Sequence, residues 1–441
     1  MSRRSMKLGA FLMAGGHHIA AWRHPDAHAR AGSDIDHFIA LAQIAERGTF
    51  DMIFIEDAAA IRERNPDLAS QAARSTAFEP LSLLAAIAVN TSHIGLVATA
   101  STSYTEPYGL ARSFAALDQL SGGRAGWNLV TSASELEAEN FAASGLRPHS
   151  QRYERAEEFA DAALALWDSV QQTAYLPPGE GVFADRSKLH PVHKHGRHFA
   201  VDGILESRRS PQGRPVMVQA GASEAGKDLA ARTADVVFAA SQTKAEAQAY
   251  YVDVKSRLAT YGRDPDDLKV MPGISPIVAA TEEEAKAKYR TLQDLIPDAV
   301  GVALLASYLS IQDLAAYPLD GPLPDMPPTN LIQSRQQLIV DLGKREGLSI
   351  RELARHFAGA RGHWQVVGTP GQIADAMEER FLDGAADGFN VMAPLFPSGL
   401  EDFVTLVVPE LRRRGLFRTE YEGKTLRTNL GAAMPTNDEA R

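Results

Sequence analysis

Polar side chains that could bind a ligand follow two apolar runs within residues 94–131. The first run, 94–98, passes directly into Thr99, and the second, 125–130, carries Asn128 and ends at Thr131. A helical pattern lies between the two runs, so the segment predicts one β-α-β unit. Ligands bind at the carboxyl ends of parallel barrel strands, so these hydroxyl and amide groups are placed to hold a polar ligand.

Histidines concentrate in two further segments. GHHIAAWRHPDAH follows the first apolar run and contains His17, His18 and Trp22, and HPVHKHGRH covers residues 190–198. Neither has HExxH or carboxylate-bracketed spacing, so no metal site is expected. The first segment is interpreted as an active-site loop, with a purely structural turn as the alternative. The second is interpreted as a solvated loop.

A small-residue motif, GASEAGKD, follows the apolar run VMVQA and opens a helical pattern. It contains Gly221, Ala222 and Ser223, and it departs from the phosphate-loop pattern because Asp228 stands where a hydroxyl would bind Mg²⁺. Binding of ATP is therefore not expected. A phosphate on the free N–H groups of the helix start remains compatible with the motif, and an ordinary capped helix is the alternative.

A second helix start, LRPHSQRYERAEEF, places an imidazole and a phenol close together. Ser150 is the expected N-cap, which puts His149 just before the helix and Tyr153 about one turn inside it. Both side chains could reach a ligand at the helix end. Basic first turns are common on solvated faces, so the motif alone is weak.

Strand and helix patterns alternate along the chain. Short apolar runs typical of buried parallel strands occupy residues 8–13, 52–56, 94–98, 126–130, 215–220, 236–239, 270–277 and 389–392. Helical patterns occupy residues 34–47, 80–90, 109–120, 150–170, 223–231, 244–261, 281–296 and 370–382. Eight such strands predict an α/β fold of the TIM (β/α)8 barrel type. A doubly wound open sheet is the alternative, but the chain has no GxGxxG turn.

Two long irregular stretches interrupt the alternation, after strands 4 and 7. They cover residues 172–214 and 297–365, and loops of this length are usually functional. We expect one barrel domain over residues 1–441, in which 297–365 acts as a lid and 418–441 forms a C-terminal arm on the surface or at a subunit contact.

Composition excludes several classes of function. The net charge of −10 argues against binding to nucleic acid. The chain has no cysteine, which excludes thiolate catalysis and cysteine-bound metal, so redox chemistry would belong to a bound cofactor. The N-terminal apolar run is short and no run approaches about 20 residues, so we expect a cytoplasmic protein that does not span a membrane.

The ordered motifs together resemble one family. They are GHHIAAWRHPDA, FDMIFIEDA, ATASTSYTEPYGLARSFAALDQLSGGRAGWNLVTS, RPHSQRYERAEEF, SPQGRPVMVQAGASEAG, VGTPGQIAD, DGFNVMAP and PELRRRGLFRTEYEG. The chain resembles the nitrilotriacetate monooxygenase component A group of the bacterial luciferase-like flavoproteins, which are TIM barrels. The resemblance extends over residues 7–431.

The resemblance implies a site for FMN at the mouth of the barrel. The positions that match the family's FMN-binding residues are Asp57, Thr99, His149, Tyr153 and Ser223, and Asn128, Gly221 and Ala222 adjoin them. On this interpretation Tyr153 and Ser223 hold the phosphate. Thr99, Asn128 and Asp57 lie under the isoalloxazine ring, and His149 bridges the two regions.

The resemblance also implies a reaction. It predicts a two-component monooxygenase in which a separate NAD(P)H:flavin reductase supplies FMNH₂, which reacts with O₂ to give a C4a-peroxyflavin that oxygenates a small organic substrate. His17, His18 and Trp22 are the catalytic candidates, facing the reactive edge of the ring. A homodimer or homotetramer is expected. Family members oxidise aminopolycarboxylates, sulfones and long alkanes, so the motifs do not identify the substrate.

Three other functions are compatible with the sequence. A deazaflavin-dependent oxidoreductase on the same fold would differ in the reduced flavin that it binds. A non-catalytic flavin-binding protein would keep Tyr153 and Ser223 but lack turnover. A metal-dependent barrel hydrolase would need the histidine segments to converge on bound zinc.

Overall fold

Eight parallel strands form a closed barrel in the computed structural model, which describes residues 4–73, 77–141, 145–179, 181–311, 313–326 and 333–435. The barrel strands are β1 (Lys7–Leu12), β2 (Met52–Ile55), β3 (Gly95–Ser101), β4 (Ala125–Val130), β7 (Val216–Gln219), β8 (Val236–Ala239), β9 (Lys269–Val278) and β11 (Gly388–Val391). They pair in that order, and β11 pairs with β1 to close the barrel. The predicted TIM barrel is confirmed.

Helices surround the barrel. They are α1 (Ile35–Arg47), α2 (Pro66–Ala69), α3 (Pro80–Ala88), α4 (Pro107–Leu120), α5 (Glu135–Asn140), α6 (His149–Asp168), α7 (Glu224–Thr233), α8 (Lys244–Arg257), α9 (Glu282–Asp294), α10 (Asp298–Leu309), α11 (Gln333–Glu346), α12 (Ile350–Ala360), α13 (Pro370–Leu382), α14 (Ser398–Asp402), α15 (Val408–Arg413) and α16 (Leu426–Leu430). Within the described ranges, no single helix is long and apolar enough to cross a membrane. The pair α9 and α10 passes that test only when joined across an 87° bend.

Alternating residues of each strand fill two separate cores, as the two-residue repeat of a strand requires. On β4, Trp127 and Leu129 point outward and pack with the surrounding helices. On neighbouring strands Phe11, Phe54 and Val97 point inward, where they share the barrel interior with other buried apolar side chains. Because both faces of each strand are buried, apolar residues occupy consecutive positions, which explains the short continuous apolar runs in the sequence.

The insertion over residues 172–214 contains an antiparallel hairpin. Its strands are β5 (Val192–His195) and β6 (Ala200–Gly203), and the histidine segment 190–198 lies mainly on it. His193 and His195 are exposed, and both contact Asp202 across the hairpin. The described residues include no group of three or more His, Asp or Glu that could hold a metal ion.

The insertion over residues 297–365 contains α10, α11 and α12 and leads into a strand that the sequence analysis did not predict. This strand, β10 (Trp364–Gly368), pairs in parallel with the second half of β9, from Ile274 to Val278. The insertion is therefore hydrogen-bonded into the barrel sheet at its end. Residues 312 and 327–332, which include part of the proline-rich stretch, lie outside the described residues.

The C-terminal arm, expected on the surface or at a subunit contact, is only partly exposed over its described residues, 418–435: α16 is mostly buried, whereas Glu420, Lys424 and Met434 are exposed. Its helix α16 places Leu426 and Leu430 in the apolar core of the barrel interior, and both are fully buried. Arg427, from the same helix, donates two hydrogen bonds to the carboxylate of Asp235, at 2.8 and 3.1 Å. The expected surface position is wrong for α16 because these apolar side chains close the end of the barrel where the strands begin. Residues 436–441 lie outside the described residues.

Candidate active site

Residues predicted for the site line two cavities at the carboxyl ends of the barrel strands. The first, of about 430 Å³, is lined by His17, His18, Trp22 and Asp57 among others, and we call it the His17 cavity. The second, of about 350 Å³, we call the Tyr153 cavity. Its wall includes Asp57, His149, Tyr153, Gly221, Ala222 and Ser223. Asp57 therefore lies on the wall of both cavities.

Two helix starts build one end of the Tyr153 cavity. Ser223 is the N-cap of α7, and its Oγ accepts a hydrogen bond from the backbone N–H of Gly226 at 3.2 Å. The rings of His149 and Tyr153 are 4.7 Å apart, on the first turn of α6. The expected N-cap is wrong by two residues: α6 begins at His149, with Pro148 as its N-cap and no side-chain cap.

Close backbone packing keeps this end of the cavity free of side chains. A Cβ on Gly226 would lie 2.9 Å from both Gly221 Cα and Tyr153 Oη, closer than such atoms approach each other. Both positions therefore require glycine. The first N–H groups of α7 and the Tyr153 hydroxyl remain as hydrogen-bonding groups, and the helix start carries a positive partial charge. This combination is suited to a phosphate or another anion.

The wall of the Tyr153 cavity carries two basic residues, Arg152 and Arg62, and two acidic ones, Asp57 and Glu137; Arg62 is paired with Glu56 at 2.9 Å. Arg152 Nη1 donates a hydrogen bond of 2.6 Å to the carbonyl of Arg147, which fixes the guanidinium beside the start of α6. Burial lowers the pKa of His149, and the nearby Arg152 lowers it further. The imidazole is therefore neutral at pH 7, and the positive side-chain charge beside the start of α6 comes from Arg152.

Thr99 and Asn128 are paired neighbours on β3 and β4, as predicted from the two strand ends. Asn128 Nδ2 donates a hydrogen bond of 2.8 Å to Thr99 Oγ1, and both side chains are buried. Asn128 precedes Leu129, where the wall of the Tyr153 cavity begins on β4. The pair therefore lies inside the barrel, one residue before the start of the cavity wall along β4.

Asp57 stands after the end of β2 among other carboxyl groups. Burial raises its pKa, and the neighbouring carboxylates of Glu79 and Glu137 raise it further. A carboxyl group in this environment accepts a proton more readily than a solvated aspartate. The structure thus places a group suited to proton transfer where the two cavities meet.

The two histidines of the His17 cavity are buried and have defined hydrogen bonds. His17 Nε2 donates to the carbonyl of Phe11 at 2.7 Å, and His18 Nδ1 accepts from the backbone N–H of Ala20 at 3.2 Å. Burial lowers the pKa of His18 to about 4, so this ring is neutral at pH 7. Trp22 lies at the rim, 38% exposed, with the guanidinium of Arg23 above its ring.

A charged group on the wall of the His17 cavity, Glu56, was not predicted from the sequence. Glu56 forms ion pairs with Arg62 at 2.9 Å and with Arg361 at 3.6 Å. Glu56 ends the apolar run that precedes Asp57, so its strand-end position was a usable signal. Arg361 comes from the end of the insertion that contains α12, and nothing local to its sequence indicates that it returns to the barrel mouth.

The basic segment around Arg208 and Arg209 lines neither of these two cavities. Arg209 is buried and pairs with Asp168 at 2.8 Å. Asp168 is the last residue of α6, whose first turn is at the Tyr153 cavity. Because α6 is 20 residues long, the segment lies at the opposite end of the barrel.

Comparisons with known proteins agree with this geometry. The sequence profile of a family described as luciferase-like monooxygenase matches residues 16–387. The chain is 49% identical to N-acetyl-S-(2-succino)cysteine monooxygenase of Bacillus subtilis (strain 168), over 100% of this chain and 99% of the relative. It is 47% identical to nitrilotriacetate monooxygenase component A of Aminobacter aminovorans, over 100% and 99%.

A solved structure is similar over nearly the whole fold. It is that of riboflavin lyase, RcaE, with modified FMN and its substrate riboflavin. It superimposes with a TM-score of 0.88 at 30% sequence identity, covering 98% of this chain and 96% of that one.

Proposed function

Because the chain belongs to the luciferase-like monooxygenases, and is thus a flavin-dependent oxygenating enzyme, we propose that it is the oxygenase component of a two-component system. In this proposal a separate NAD(P)H:flavin reductase supplies FMNH₂, and the enzyme uses O₂ to oxygenate a small organic substrate. Reduced flavin is made where NAD(P)H is available, so we place the reaction in the cytoplasm. A homodimer or homotetramer stays a prediction.

The observation that carries the proposal is the anion-binding end of the Tyr153 cavity. Gly221 and Gly226 approach so closely that a methyl group on Gly226 would displace the backbone or the Tyr153 hydroxyl. The Ser223 hydroxyl and the first turn of α7 adjoin this gap. These residues fit the phosphate of FMN, with Ala222 on the same wall and His149 between the phosphate and the ring.

The proposed phosphate position also determines what the other predicted residues would contact. Thr99 and Asn128 lie below the cavity, where they would support the ring through their shared hydrogen bond. Asp57 would contact the ring from the junction of the two cavities. The substrate would then occupy the His17 cavity, against His17, His18 and Trp22.

Bound reduced flavin would supply the activation of O₂ and the transfer of one oxygen atom to the substrate. The protein orients the reactants and excludes water. His18 is neutral at pH 7, so it can donate a hydrogen bond without placing a charge beside the substrate. Burial raises the pKa of Asp57, so this carboxyl accepts a proton more readily than a solvated aspartate. The insertion 297–365, which contributes Arg361 to the wall, would act as the lid that limits access of water.

Rapid mixing tests the proposed reaction. The protein loaded anaerobically with FMNH₂ is mixed with O₂, and absorbance is followed. We expect a transient species that differs from both reduced and oxidised FMN. Direct conversion of reduced to oxidised FMN would contradict the proposal and favour a non-catalytic flavin-binding protein. Tighter binding of a reduced deazaflavin than of FMNH₂ would favour the deazaflavin alternative.

A matched pair of variants tests the phosphate assignment. Ser223→Asp retains an N-cap residue but places negative charge at the proposed phosphate site, so we expect FMN affinity to fall at least tenfold. Ser349→Asp makes the same change at the N-cap of α12 and serves as the control. Equal FMN affinity in the two variants would remove Ser223 from the site.

A further inference from the structure

Unpaired hydrogen-bond donors converge beside the His17 cavity. Within the described residues, the Nε2 atoms of His18, Gln293 and Gln365 are buried and have no hydrogen-bond partner within 3.5 Å; the Gln293 amide is also close to the Tyr289 phenol, whose pKa is raised by burial and lowered by this amide. They come from the loop after β1, from α9 and from β10. A Cβ on Gly359 of α12 would lie 2.9 Å from Gln293 Nε2, 3.4 Å from Gln365 Nε2 and 3.7 Å from His18 Cδ2. The three groups therefore surround one small space, which the absence of a side chain at Gly359 leaves open.

All three nitrogens are donors. His18 Nδ1 accepts from the Ala20 N–H, so the proton of the neutral ring is on Nε2. The two glutamine nitrogens are amide NH₂ groups. A fourth buried atom without a partner, Ser275 Oγ, belongs to the residue paired with Gln365 across β9 and β10. A buried donor without an acceptor is costly, so such a cluster indicates a missing acceptor.

The number of donors and the nearby charges indicate what that acceptor is. A water molecule can accept two hydrogen bonds, and its own two protons would need acceptors that the three N–H groups do not provide. Two arginines contact neighbours of the cluster residues in the sequence: Arg335 donates to His363 Nε2 at 3.3 Å, and Arg361 lies 3.4 Å from His17 and pairs with Glu56 at 3.6 Å. Glu56, on the wall of the His17 cavity, is shared between Arg361 and Arg62, so one carboxylate faces two guanidinium groups there. An anionic group with several lone pairs fits these surroundings better than a neutral one.

We propose that His18, Gln293 and Gln365 form a binding site for one carboxylate of the substrate. The inference rests on the proposed function, since it places the rest of the substrate in the His17 cavity, on whose wall His18 lies. These three residues would then determine specificity for carboxylate-bearing molecules, and they would do so without contacting the flavin phosphate.

Gly359→Ala is the sharpest test, because it fills the space without removing any donor. The methyl group would displace only the flexible end of Gln293, and alanine has a higher helix propensity than glycine, so the fold is retained. Gly109→Ala makes the same change in α4, where a Cβ meets nothing within 4 Å, and serves as the matched control. Gln365→Glu, which would place a negative charge in the cluster, is the second variant.

Calorimetric titration provides the measurement. Succinate and tricarballylate are titrated into the FMN-loaded wild-type protein and variants, with succinamide as the neutral probe. We expect the carboxylates to bind the wild type and the Gly109→Ala control equally, at least about tenfold more weakly to Gly359→Ala, and not at all to Gln365→Glu. Succinamide should not compete.

Several results would overturn the assignment. They are no carboxylate binding to the wild type, equal binding to Gly359→Ala and wild type, or equal binding of succinamide. FMN affinity is measured on the same samples and should be unchanged in every variant. If the wild-type protein does not bind FMN, that result would instead contradict the proposed function. Failure of the carboxylate site and failure of the proposed function are therefore distinguishable.

Discussion

Leu426→Ala tests whether the C-terminal helix contributes to the barrel core. Leu426 is 0% exposed, and it lies where β3 and β4 begin, because a side chain at Gly95 would overlap its Cδ1 and one at Gly126 would touch its Cδ2. Removing a buried leucine side chain costs the lost transfer free energy plus a cavity term, in total about 2–5 kcal/mol.

The local structure indicates the upper half of that range. Gly95 and Gly126 have no side chains that could move into the cavity, and β3 is hydrogen-bonded on both sides, so its backbone cannot collapse inward. We therefore expect the free energy of unfolding to fall by about 3–5 kcal/mol. FMN affinity should not change, because the substitution lies at the opposite end of the barrel from the Tyr153 cavity.

Equilibrium urea unfolding, followed by tryptophan fluorescence and circular dichroism, measures this loss. Leu120→Ala is the control, since Leu120 is 62% exposed at the end of α4 and should cost no more than about 0.5 kcal/mol. A loss below about 1 kcal/mol for Leu426→Ala, or one equal to that of the control, would refute the placement of α16 inside the barrel.

Three further predictions concern the site and buried titratable groups. Gly226→Ala should weaken FMN binding at least tenfold, measured by fluorescence titration, whereas Gly371→Ala, whose Cβ would meet only Thr369 Oγ1 at 4.0 Å, should not; equal affinities would argue against the phosphate site. Burial lowers the pKa of His18 to about 4, so the unfolded chain binds the extra proton and stability should fall by up to about 3 kcal/mol as the pH drops from 6.5 to 4. His18→Asn should lack this component in urea unfolding, and an unchanged pH profile would contradict it. Burial raises the pKa of Asp118 to about 6, so the folded protein binds that proton more tightly and stability should rise as the pH falls from 6 to 4. Asp118→Asn should lose this opposite slope, and a slope identical to that of the wild type would show that Asp118 is not the group responsible.

The barrel strands were predictable because each is buried on both faces. A short apolar run such as 52–56 carries that signal by itself, and β2 was found there. β10 carries no such signal. Its residues are mostly half-buried, and its pairing partner, β9, is distant in the sequence, so only the tertiary structure defines it as a strand.

The position of α16 in the C-terminal arm was predicted wrongly for a different reason. Polar composition around α16 is typical of a surface segment, and two leucines four residues apart are too few to show helical periodicity. The helix is buried because it fills the open end of the barrel that the eight strands form. Arg427 and Asp235 then satisfy each other's charge in that position.

Part of the candidate site could be predicted from local sequence patterns. The pairing of Thr99 with Asn128 came from matching the ends of two adjacent strands, and Ser223 was correctly identified beside a helix start. Arg361 and Gln365 could not be found in this way. They return to the barrel mouth only after the long insertion, and no sequence rule predicts contacts across such a separation.

The pairing of β10 with β9 also limits how the insertion can move. The insertion begins after β9 and α9, and at its other end β10 is hydrogen-bonded to β9. One strand therefore anchors both ends, the first through the chain and the second through the sheet. A single break in the chain between α10 and α11 would leave the two fragments joined through the β9–β10 ladder and the packing of α10 on α12. We therefore expect a nicked protein to remain one particle under native conditions and to separate only when the barrel itself is denatured.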